Sequence, residues 1–402
     1  MYGVVVLSLI LFLGFRTVKN IANYPYLLLG NYVFNILNRF ASSTVLLRIG
    51  SIYLYNNDLT ILFLLIALLA HKRQFHIRRK NTSIFIYLIM VLYSLMTGLM
   101  TFGINTWIVN DVRKFIYNII LIVFCAFIDC NINFDNVYRW IKRIAYCVVG
   151  YIYIAVLLHA ATGVQIGAYT DARPLVSHYA ITLVIFIIYE VYRQLYKSKT
   201  PSINITTYLC MIAIIINRYN TTWVAMFLGI ILLILFMPNK HSLLNQRFAV
   251  QLFIIVAIST LGFNGLSGSS IMDDIINTQN KFSTMQESDS TFATRTELWA
   301  AMLASLNSKI EWLFGKPMGS GYYINYRGIL WKYDPHNAYV ETIMRLGLVG
   351  CVAMVYMNVK LIWQAFVVKE KVIIAMIIPI MAYWITYTYE FELSCLFGFF
   401  LH

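Results

Sequence analysis

Five residues of this chain have the types and placement to take part in chemistry: His336, followed by Asn337, and the arginines Arg173, Arg218 and Arg295. An imidazole titrates near neutral pH and can take a proton from a hydroxyl group. A guanidinium stays charged at any relevant pH and forks onto phosphate oxygens, so Arg218 and Arg295 are candidate diphosphate ligands. Arg173, within YTDARP, can serve the same way or pair with Asp171. The simpler alternatives are a histidine resting at a membrane interface and arginines touching phospholipid headgroups.

The elements that must position these residues follow from composition. Of 402 residues, 60% are hydrophobic and 12% charged, against roughly 25% charged in an ordinary soluble protein. Apolar runs of about 17 to 25 residues cross a bilayer as helices because the backbone satisfies its own hydrogen bonds. The expected fold is therefore all-α, a polytopic integral membrane protein with about 11 to 13 transmembrane helices. One large extracytoplasmic loop precedes the last two or three of them. Residues 1–266 read as a transmembrane bundle, 267–338 as that loop with an amphipathic helix, and 339–402 as C-terminal membrane helices. The net charge of +14 is explained by basic cytoplasmic loops, and no polar domain exists to carry nucleic acid. The six cysteines fall within or at the ends of expected spans, which argues against a disulfide framework or a zinc cluster.

The run His71 to Lys80 (HKRQFHIRRK) is the densest basic segment and faces the cytoplasm. Counting spans outward from it puts residues 163–174, the tight turn Asn217 to Thr221 and the segment Ser267 to Asn337 on the opposite side. Arg173, Arg218 and Arg295 thus stand on the face where arginine is under-represented. An arginine at mid-membrane costs about 2.5 to 3.5 kcal/mol on insertion scales, and less near the interface, so an anionic partner is implied. Leu298, Trp299, Met302, Leu303 and Leu306 recur at helical spacing and predict an amphipathic helix over Thr296 to Leu306. Asp334 has the form of an N-cap with Pro335 at the first helical position, which starts the next span at about His336. A helix N-terminus there would favour the neutral, base-competent imidazole.

Asn337 is suited to orient the imidazole or a substrate hydroxyl. Glu341 and Arg345, four residues apart, are expected to form an intrahelical ion pair. The glycines of GKPMGSG, Gly315, Gly319 and Gly321, do not make a phosphate loop, because the lysine follows the first glycine and no strand precedes. Their expected task is to turn the chain so that Arg295 and His336 face one another. No metal-ligand spacing and no cofactor motif is present, and Asp273 and Asp274 read as solvated.

The arginine hairpin NRYNTT around Arg218, the run from Arg295 to Trp299 with Phe314-Gly315 and Gly319-Ser320-Gly321, and His336-Asn337-Ala338-Tyr339 leading into Arg345-Leu346-Gly347 resemble the O-antigen ligase and polymerase superfamily. The resemblance implies a metal-independent glycosyltransferase without cofactor, acting on undecaprenyl-diphosphate-linked glycans at the outer face of the plasma membrane. It implies His336 as general base, and Arg218 and Arg295, with Arg173, on the diphosphate; after Arg173 the chain departs from the family pattern, with SHYA where a Gly/Asn-containing segment is usual. Asn337, Tyr339, Glu341 and Arg345 would support the site. The implied partners are lipid-linked donor and acceptor, membrane lipids and a chain-length regulator protein. Size and composition favour a polymerase; a ligase transferring the glycan to lipid A-core is the alternative, and a flippase is a rival of another class. Against transport, spans such as Ser83 to Thr101 carry no charge and no repeated halves are visible.

Overall fold

The computed structural model describes residues 2–38, 46–49, 52–75, 82–128, 134–162, 174–197, 203–217, 219–236, 291–326, 329–332, 334–368 and 370–388. The spans expected over Val250 to Leu266 and Phe391 to Leu401, and the polar segment after Ser267, lie outside these residues. The chain divides into two compact units, the first formed by Met1–Ile141, Leu298–Leu361 and Trp384–His402, the second by Lys142–Glu297 and Ile362–Tyr383.

In the first unit, α1 (Tyr2–Lys19), α2 (Tyr24–Asn38) and α3 (Asn56–Ala70) pack on one another. A core that includes Ile10, Tyr24, Leu64 and Phe124 joins them. Between them a buried polar knot forms, in which Asn56 Nδ2 donates to Asn31 Oδ1 at 2.9 Å and to Asn35 Oδ1 at 2.6 Å. Pairing of this kind is what makes buried amides tolerable. The hairpin β1 (Leu47–Ile49) and β2 (Ile52–Leu54) pairs Leu47 with Leu54 just before α3. Next come α4 (Thr82–Phe102), α5 (Thr106–Asp111), a π-helical turn Val112–Ile116 and α6 (Tyr117–Phe127). The apolar helix α6 therefore grows out of helical structure that starts at Thr106.

Further along are α7 (Phe134–Thr162), α8 (Ser177–Tyr192), α9 (Ile205–Ile216) and α10 (Asn220–Leu235). In the second unit α8 packs against α9 and α10. Then follow α11 (Thr291–Ala304), α12 (Lys309–Phe314), the hairpin β3 (Tyr323–Tyr326) and β4 (Ile329–Lys332), α13 (Ala338–Val368) and α14 (Lys371–Tyr383), which packs on α10. Gly229 allows that approach, since a Cβ there would stand 3.0 Å from Ala375 O and 2.2 Å from Ile188 Cδ1. The amphipathic helix expected over Thr296 to Leu306 is α11, shifted toward the N-terminus.

Among the described residues, three helices are long and apolar enough to cross a membrane: Ser83–Phe102, Asp135–His159 and Ala338–Val367. Their surfaces are inverted relative to a soluble protein. In α4 the buried side includes Ser94 while Ile89 and Met100 are exposed, and in α13 Asn358 is buried while Trp363 is exposed. Apolar outside and polar inside is the pattern of helices solvated by lipid. The molecule is an all-α membrane protein.

Candidate active site

The loop bearing His336 is built from both ends. Asn337 is buried and closes the start of α13: its Oδ1 accepts from Tyr339 N and Val340 N, each at 3.0 Å. Those are the second and third helical positions, so Asn337 is the N-cap. The cap expected at Asp334 is thus three residues too early, and α13 starts at Ala338 rather than His336. Ala338 N donates to Trp384 O at 3.0 Å and Tyr387 O at 2.9 Å, and Asn337 Nδ2 donates to Ile385 O at 2.8 Å. The first N–H groups of the helix are consumed internally and none is left to hold a phosphate oxygen. On the other side the Trp299 indole of α11 donates to Pro335 O.

Clamped between these contacts, His336 is exposed with φ 44°, and it is the only non-glycine residue with positive φ among those described. Left-handed backbone costs roughly 1–2 kcal/mol, and such strain is concentrated at functional positions.

Beside this loop, within the first unit, is a charged network that joins distant parts of the sequence. Arg113 forks onto Asp58, Nε to Oδ1 at 2.9 Å and Nη2 to Oδ2 at 2.8 Å, and also donates to Tyr53 O. Asp58 further accepts from Tyr117 Oη at 2.7 Å and Tyr55 N at 2.7 Å. Lys114 Nζ meets Glu341 Oε1 at 2.7 Å and both Asp334 oxygens at 3.1 Å. Burial opposes the Lys114 charge, but Glu341 and then Asp334 outweigh it and hold its pKa above the ordinary lysine value. Arg345, fully buried, donates to Ser320 Oγ at 2.6 Å and Gly321 O at 3.0 Å, and its Nε lies 3.1 Å from Asp111 Oδ2. The Tyr322 ring sits 4.0 Å from the Arg345 guanidinium carbon, and burial pushes the Tyr322 phenol well above its ordinary pKa.

The intrahelical Glu341–Arg345 pair expected from spacing is therefore replaced by two pairings with other segments, Glu341 with Lys114 and Arg345 with Asp111. In water an i,i+4 pair gains only about 0.2–0.5 kcal/mol, too little to hold two buried charges against partners reached across the fold. The Gly-rich turn serves this network. Gly319 N donates to Asp111 Oδ2 at 2.9 Å, and Lys316 N donates to Met344 O at 2.7 Å. At Gly347, where α13 breaks with φ 68°, a Cβ would lie 2.1 Å from Leu313 O. At Gly315, φ 79°, one would lie 2.4 Å from the Arg345 carbonyl carbon. Backbone meets backbone there, which only glycine permits.

A cavity of about 580 Å³ opens on the network. Arg113, Lys114, Asp111, Tyr322 and Asp334 line its charged side, and Tyr55, Trp107, Asn110 and Lys332 complete it. Asp334 connects the cavity to His336, two residues away.

The first unit thus brings together His336, Asn337, Tyr339, Glu341 and Arg345 from the residues singled out by sequence, with Tyr339 half-buried in the first turn of α13. Arg295 is half-buried in the N-terminal part of α11 and belongs to the second unit. Arg218 and Arg173 lie outside the described residues, but their neighbours are joined: Asn217 and Leu175 exchange two hydrogen bonds, Nδ2 to O and N to Oδ1, both at 2.9 Å. Sequence reasoning missed Asp58, Asp111, Arg113 and Lys114. The signal was present, since Arg113 and Lys114 stand on the outer side of the span count and break the charge bias as the chosen arginines do.

Residues 205–355 match the family model described as O-antigen ligase. No curated protein and no solved structure gives a significant match.

Proposed function

We propose that this chain, whose residues 205–355 match the O-antigen ligase family model, is a member of the O-antigen ligase and polymerase superfamily and a polysaccharide polymerase. It joins undecaprenyl-diphosphate-linked repeat units at the outer face of the plasma membrane. The donor glycan leaves its lipid diphosphate, and Arg218 and Arg295, with Arg173, neutralise the charge that grows on the departing oxygen, a preorganised electrostatic effect. His336 takes the proton of the acceptor hydroxyl as that oxygen attacks the anomeric carbon with inversion.

The observation that carries this reading is the strained, exposed His336 at the end of a rigidly held loop, inside the stretch matched to the family. Asn337 does its work as the cap that fixes the imidazole's backbone, rather than by touching substrate. The Leu175–Asn217 pair supports a shared role for Arg173 and Arg218 because it ties the segments next to them. Arg113, Lys114 and Arg345 are each already engaged by a carboxylate, which favours the outer arginines for that task.

Gel analysis of surface glycans in a deletion strain tests the assignment. Loss of the polymerase collapses the ladder to core plus one repeat unit. Bare core would indicate the ligase or a flippase, and an unchanged ladder would end the proposal. His336→Ala and Arg295→Ala should each reproduce the deletion.

A further inference from the structure

We infer that the cavity between Tyr55, Trp107, Asn110 and Lys332 is a sugar subsite that takes a pyranose of the glycan, and is not a phosphate site. The inference rests on the glycosyltransferase reading and assigns the ligand of a cavity that this reading leaves open. Charge argues first. The cations Arg113, Lys114 and Arg345 in and behind the lining are paired with the carboxylates Asp58, Asp111, Asp334 and Glu341, and Lys332 brings the sum of these charges to zero. Arg113, Lys114 and Arg345 are engaged at 2.7 to 3.1 Å. A diphosphate entering the cavity would meet two lining carboxylates, Asp111 and Asp334, and, Lys332 at the rim apart, would have to break existing pairs to gain a partner. A polyhydroxylated, uncharged ring meets no such penalty.

Shape and chemistry argue next. Aromatic surface with a few fixed polar groups is how small-ligand cavities are lined, and about 580 Å³ lies within their usual range of roughly 300–1,000 Å³. Trp107 is half-buried and fixed by edge contacts with Tyr322 at 6.4 Å and Tyr323 at 5.7 Å between ring centroids. A rigid indole offers a face to the C–H side of a pyranose. Lys332 lies 4.4 Å from the Trp107 ring centroid with no carboxylate partner among the described residues, and Asn110 is exposed and lines the same space. These two groups are available to sugar hydroxyls at the rim while the rest of the network stays closed.

The lining also draws on two parts of the chain. Tyr322, Lys332 and Asp334 fall within the family-matched stretch, while Tyr55, Trp107, Asn110, Arg113 and Lys114 precede it. A subsite made where the matched core meets residues outside it is suited to select the glycan of one particular polymer.

The test is a direct binding measurement on the full chain in nanodiscs. The probes are repeat-unit oligosaccharides released by mild acid from the native host's lipid-linked pool, and inorganic pyrophosphate, each followed by calorimetry. The free oligosaccharide should bind without its lipid diphosphate. Trp107→Ala and Asn110→Ala should each weaken it by roughly three- to tenfold, the range of one lost ring contact or hydrogen bond. Trp107→Phe should restore most of the loss, and Asn110→Ala, at an exposed position, keeps the test informative if Trp107→Ala does not fold. Affinity that rises with the number of repeat units assigns the cavity to the growing donor chain, and length-independent affinity to the acceptor unit; both support the subsite. Unchanged affinity in both alanine variants, or pyrophosphate binding that Asn110→Ala and Trp107→Ala abolish, overturns it. Failure of the enzymatic reading shows separately, as an unaltered surface ladder in the deletion strain.

Discussion

Arg345→Met should destabilise the protein through Asp111 and not through Glu341. Arg345 and Asp111 are both essentially excluded from solvent, at 0% and 1% side-chain exposure, with Nε and Oδ2 at 3.1 Å. Removing the guanidinium leaves Asp111 with Gly319 N as its remaining hydrogen-bond donor among the described residues and strips Gly321 O and Ser320 Oγ of the guanidinium they accept from. Breaking a buried pair costs about 3–5 kcal/mol, or roughly two to nearly four orders of magnitude in the folded fraction. If Arg345 instead paired with Glu341 along the helix, the loss would be about 0.2–0.5 kcal/mol. The two mechanisms differ by about tenfold in free energy, well outside measurement error. The assay is the midpoint of SDS-induced unfolding in mixed micelles for Arg345→Met, Asp111→Asn and Glu341→Gln, singly and in pairs. The double-mutant cycle of Arg345 with Asp111 should show a coupling of about 1–3 kcal/mol, and that with Glu341 under about 0.5 kcal/mol. A single-mutant loss below about 0.5 kcal/mol, or coupling to Glu341 alone, would refute the reasoning.

The same unfolding measurement checks three further expectations. Asn337→Ala should cost about 0.5–2 kcal/mol as a lost N-cap, and Asn337→Asp should not restore the wild-type stability, because a carboxylate still accepts from Tyr339 N and Val340 N but has no donor for Ile385 O. Gly347→Ala should abolish stable expression, since a Cβ would stand 2.1 Å from Leu313 O at φ 68°. Gly103→Ala, at φ 61° with nothing within 4 Å of its Cβ, should cost only the roughly 1–2 kcal/mol of left-handed backbone.

The helices that are apolar on most faces were legible in the sequence to within a few residues, as with Ser83 to Thr101 against Thr82–Phe102. Length and hydropathy decide such elements without reference to the rest of the chain. What was not legible depended on partners far away in sequence. Asn110, Asp111, Arg113 and Lys114 look like a polar loop, yet they continue a helix because Asp58, Asp334, Glu341 and Arg345 satisfy their charges. The cap was misplaced for a related reason. The Asp334 carboxylate is taken by Lys114, so Asn337, nearer the helix, closes it instead. Spacing alone made Glu341 and Arg345 partners, and only the fold supplied Lys114 and Asp111 as better ones.

Reconstituted transfer tests the central claim most directly. Purified protein in proteoliposomes is given a single lipid-linked repeat unit as both donor and acceptor, with a metal chelator present, and the products are read by mass. Stepwise growth by whole repeat units, lost in His336→Ala and in Arg295→Ala, is the predicted result. Unextended substrate with the wild-type chain, or undiminished growth with His336→Ala, would contradict the account.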